Sequence, residues 1–164
     1  MPTSAIWAKI DAPLAHEILL CAQEKQKKLY KAALDIFSKQ MGLRPQKILE
    51  MPKTERHVVW QKLLAQGYLE ALSFNLVSNW LMQTQSPLLC AWLDALGIAH
   101  NGSGVTDHFP PCPPKEKLQS AIDLLLTKST PQIVSIYLQA FNEIDGVHWP
   151  LLAQLIQSDP RLQF

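Results

Sequence analysis

KKLYKAALDIFSKQMG, residues 27–42, decides the fold class. Leu29, Tyr30, Ala33, Leu34, Phe37 and Met41 recur at three- and four-residue spacing, with Lys27, Lys28, Lys31, Asp35 and Lys39 between them. On a helix of 3.6 residues per turn these sets separate into an apolar face and a charged one. Gly42 then stops the helix, because glycine tolerates the left-handed conformation that commonly ends one. No long run elsewhere alternates with period two, so the spacing predicts an all-α chain.

Working outward, Asp11 and Pro13 signal the start of a helix through His16 to Glu24, either separate from the one above or continuous with it. After Gly42, Pro45 and Pro52 restrict residues 43–57 to a short helical turn or an extended connector. Thr54 is placed to cap a helix holding Val58, Val59, Leu63 and Leu64, and Gly67 bends it or parts it from a stripe of Leu69, Leu72, Leu76, Val77, Trp80 and Leu81. Ser86-Pro87 reads as a cap followed by a first-turn proline, and Gly97 closes that helix over Leu88, Leu89, Trp92, Leu93 and Leu96. Residues 100–114, HNGSGVTDHFPPCPP, form a loop dividing two helical sections. Beyond it lie the stripe Leu118, Ala121, Ile122 and Leu125, a helix begun by Thr130-Pro131 and a last one begun by Trp149-Pro150. The expectation is a compact single-domain bundle, residues 1–164, of about seven or eight helices.

With 164 residues the chain is long enough to bury roughly 70% of its unfolded surface in one core. Only 18% of residues are charged, against about 25% in an average domain. That leaves more neutral surface than usual, suited to covering by a partner. Ser73, Asn75, Ser78 and Asn79 interrupt the apolar stretch 72–82, so no membrane span is expected. The N-terminal segment lacks a basic leader followed by an apolar run. Cys21, Cys90 and Cys112 are odd in number and widely spaced, which points to free thiols and a reducing, cytoplasmic setting.

His100, Asp107, His108 and Cys112 fall within thirteen residues and are the candidates for a metal site, since all four are ligand types. Their spacing matches no established metal motif, and the expectation is no bound metal and no cofactor. Cys112 precedes a helix start, where the positive end of the helix favours a thiolate, yet no base is fixed beside it in sequence. His16, His57 and His148 read as surface or part-buried helix residues. Neither HExxH, GxSxG nor a phosphate-binding glycine loop occurs, and residues 142–146, NEIDG, lack the alternating ligands of a calcium loop. Trp7, Trp60, Trp80, Trp92 and Trp149 are assigned to packing.

The second section, with LDALGI at 93–98 followed by His100 and Gly102, resembles small uncharacterised all-helical bacterial proteins over about half the chain. The resemblance implies a compact helical fold and brings no activity with it.

Charge is unevenly spread. Residues 24–62 carry ten basic against four acidic side chains, a net +6, while residues 63–164 carry four against eight, a net −4. Lys27, Lys28, Lys31, Lys39, Arg44 and Lys47 form the candidate basic face. Three functions are therefore expected in descending order. The first is a non-enzymatic module that binds a protein partner or itself. The second is nucleic-acid binding in the manner of a helix-turn-helix, from Ser38, Gly42 and Ile48, held to weak contacts by a sequence pI near 7.7. The third is an enzyme with its site near residues 100–112.

Overall fold

The computed structural model describes residues 2–164, which form ten α-helices, a closing 3-10 turn and, among the described residues, no strand. Eight of the helices exceed seven residues. The chain divides into two compact units, Pro2–Gln83 and Thr84–Phe164. The loop 100–114 lies inside the second unit, and the division between units falls instead at the end of α6.

The first unit comprises α1 (Ser4–Lys9), α2 (Ala12–Lys25), α3 (Lys27–Met41), α4 (Pro45–Glu50), α5 (Lys53–Leu64) and α6 (Glu70–Thr84). The Asp11 side chain accepts a hydrogen bond from Leu14 N at the start of α2, as the sequence predicts. α2 and α3 are separate, because Gln26 leaves helical geometry (φ −135°, ψ 67°) between them. α1 was not anticipated: at six residues it is too short to display a stripe, although Ile6 and Trp7 are wholly buried. α5 packs on both α1 and α2.

The face of α5 departs furthest from expectation. It buries Arg56, His57, Trp60 and Leu64, while Val58 is exposed and Val59 and Leu63 only part-buried. Thr54 lies inside the helix and Pro52 occupies the cap position without a side-chain bond. Apolar spacing misleads here because two of the four core positions hold polar side chains.

The second unit comprises α7 (Ser86–Leu96), α8 (Lys115–Lys128), α9 (Pro131–Asn142), α10 (Pro150–Ser158) and the 3-10 turn Pro160–Leu162. α9 is its centre: every residue from Val134 to Asn142 is buried. Such a helix must satisfy its polar side chains internally. Ser135 Oγ accordingly donates to Leu162 O at 2.6 Å, and Asn142 Oδ1 accepts from Trp149 N at 2.8 Å. Trp92, Tyr137, Phe109 and Trp149 surround Phe141 with ring centroids 5.4–6.0 Å away. Thr130 caps α9 through Ile133 N. At α7, by contrast, the cap position is Gln85; Ser86 is the first helical residue and its hydroxyl donates to Ser103 O.

Candidate functional site

The six residues of the basic face are all exposed along α3 and α4. Lys27, Lys31, Asp35 and Lys39 succeed one another at four-residue intervals and so lie in one row, three positive charges to one negative. Lys39 in the last turn is favoured by the negative end of the helix, whereas Lys27 and Lys28 begin α3 and gain nothing from its positive end. Lys47 is paired with Glu50 at 2.9 Å; among the described residues the other five make no ion pair. The whole unit 2–83 carries eleven basic against seven acidic residues, a net +4, and residues 84–164 carry four against seven, a net −3.

Two leucines interrupt this cationic surface. Gly42, at φ +65°, ends α3 with Leu43 N donating to Ser38 O, and the Ser38 hydroxyl returns a bond to Leu43 O. The stop at Gly97 (φ +70°) has the same arrangement, with Ile98 N donating to Leu93 O. A residue in that position ordinarily packs back on its helix. Ile98 does so, at 6% exposure, but Leu43 remains 42% exposed. Leu49, on the six-residue α4, is 49% exposed. Arg44, Leu43, Lys47 and Leu49 thus present cations and aliphatic carbon together within seven residues.

The interior of the same unit holds a polar cluster that the sequence did not reveal. Tyr30 Oη lies 2.9 Å from His57 Nε2, and His57 Nδ1 lies 2.8 Å from His16 Nδ1. The Arg56 guanidinium caps the end of α4, donating from Nη1 to Ile48 O (3.4 Å) and Leu49 O (3.3 Å), and it lies over the rings of Tyr30 and Trp60. Burial, then the neighbouring His16, Arg56 and Lys53, push the His57 imidazole down to about 3 from 6.5. Burial raises Tyr30.

The candidate metal residues are dispersed by the loop. His100 Nδ1 accepts from Gly102 N at 3.0 Å, so Nε2 carries the hydrogen that bonds Asp94 Oδ1 at 2.8 Å. Both ring nitrogens are thereby engaged, with no lone pair turned outward. Asp107 and His108 are exposed, and Cys112 Sγ donates to Pro113 O at 3.6 Å. No group of three His, Cys, Asp or Glu among the described residues stands close enough to share an ion. An open depression of about 580 Å³ lies in this loop, lined in part by His100, Asp107, His108 and Phe109.

Hydrogen bonds hold the first half of the loop together. Asn101 Oδ1 accepts from Ser103 N, Ser103 Oγ and Val105 N, and Cys90 Sγ donates to Gly102 O at 3.3 Å.

No family model, no curated protein and no solved structure matches the chain. No described helix is long and apolar enough to cross a membrane.

Proposed function

We propose that the chain is a non-enzymatic interaction module whose basic unit docks on an acidic protein surface, that of a second copy of this chain. Leu43 carries the case: a helix stop that buries its apolar residue at Gly97 leaves it in solvent at Gly42, beside Arg44, Lys47 and exposed Leu49. Aliphatic groups among cations suit a protein surface that supplies both carboxylates and apolar contact. The net charges of +4 and −3 on the two parts of the chain make one copy complementary to another, and a two-fold arrangement satisfies both halves at once.

Nucleic acid fits this surface less well. α4 has six residues, about 9 Å of helix, and Ile48 at its middle is buried, so little of it is left to enter a groove. Sedimentation velocity at 50 mM and 500 mM salt tests the proposal. A dimer that weakens at high salt, and that Leu43→Asp with Leu49→Asp abolishes without loss of helicity, is expected. A monomer at every salt concentration up to about 100 μM protein overturns it. So does binding to duplex DNA at micromolar or tighter affinity that survives 0.2 M salt and prefers one sequence.

A further inference from the structure

We propose that His16 and His57 form an acid-sensitive latch, holding α2 and α3 to α5 while the imidazole pair carries no more than one positive charge and releasing them when it carries two. The geometry supplies the limit. Two Nδ1 atoms 2.8 Å apart admit one hydrogen between them. In the neutral pair His57 Nδ1–H donates to His16, leaving His57 Nε2 to accept from the Tyr30 hydroxyl, or every bond runs the other way. A first added proton fits the geometry: with one ring charged, a single Nδ1–H still lies between the two rings and the bond from His57 Nε2 to Tyr30 is kept. A second added proton places N–H against N–H, and the contact is lost.

None of the groups acting on the His57 charge is an anion. His57 is 1% exposed. The groups acting on its charge are His16 from α2 and Arg56 and Lys53 from its own helix, all cationic when charged, and α3 contributes the neutral Tyr30. On the other elements packed against α5, Lys9 of α1 is solvent-exposed, and Lys47 and Glu50 of α4 are exposed and paired with each other. An imidazolium at His57 is therefore buried among positive charges, a state the opened unit relieves.

Hydrogen exchange on the full chain, read by mass spectrometry and corrected for the intrinsic rate at each pH, tests the latch. With one proton fewer bound in the closed form than in the open one, the opening equilibrium of residues 12–41 and 53–64 grows by up to tenfold per pH unit below about 6.5. Residues 131–142 of α9, which carry no histidine, serve as the internal reference and change far less. His57→Gln, which can still bond both neighbours, removes the pH dependence. Should that variant fail to fold, nitrogen-15 spectra of the wild-type imidazoles decide instead, with His57 expected to keep a single neutral state through pH 5. His57 charging near pH 6.5 with the fold intact, or an equal response of α9 and α5, overturns the proposal.

Discussion

Arg56 is the residue on which the first unit turns, since one guanidinium ends α4, begins the inward face of α5 and lies over two aromatic rings. Arg56→Met keeps the stem but strands the Ile48 and Leu49 carbonyls, and a loss of about 2–3 kcal/mol is expected in urea unfolding. Arg56→Lys recovers little of it, because an ammonium lacks the planar fork. An unfolding midpoint unchanged by Arg56→Met would remove this role. Among the thiols, Cys21 is buried and burial raises it, so Cys112 labels ahead of Cys21 under native alkylation, as mass mapping can show. Cys90 is part-buried, as Cys112 is, and competes with it more closely.

At the scale of elements, the contrast between a cap and an interior position is testable with one residue type. Thr130→Ala removes the bond to Ile133 N and costs about 1 kcal/mol. Thr54→Ala, exposed inside α5, is neutral or slightly stabilising because alanine is the better helix former. Equal losses would mean that Thr54 is a cap after all. Glycines separate in the same way. Gly42→Ala faces open space and pays only for its left-handed backbone, about 1 kcal/mol, whereas Gly104→Ala drives a methyl into Leu89 as well and should cost clearly more in the same melt.

For the whole molecule, pH acts through His57. Its folded value lies near 3 and the unfolded imidazole titrates near 6.5, so between those values the unfolded chain binds more protons. Stability is complete above pH 6.5 and falls as the pH drops toward 3. Thermal melts at pH 7.5 and 5.5 should show it, and His57→Gln should flatten the difference.

Helical class, most boundaries and the stripes of α3, α6, α7 and α8 were legible in the sequence, because a helix writes its buried face at a spacing set by its own backbone. The glycine stops at 42 and 97 and the Thr130 cap were legible for the same local reason. The exposed basic row was readable too, since charge stays in water unless something neutralises it. What only the tertiary structure decided is which polar groups go inside. Arg56 and His57 face the core of α5 because carbonyls from α4, a hydroxyl from α3 and an imidazole from α2 meet them there. Ser135 is buried because Leu162 returns to α9 from the 3-10 turn, and Asn142 because the backbone at Trp149 meets it at the start of α10. Many partners of a buried polar group lie far away in sequence, 41 residues for His16 and His57 and 58 for Cys21 and Asn79, and no local spacing records them.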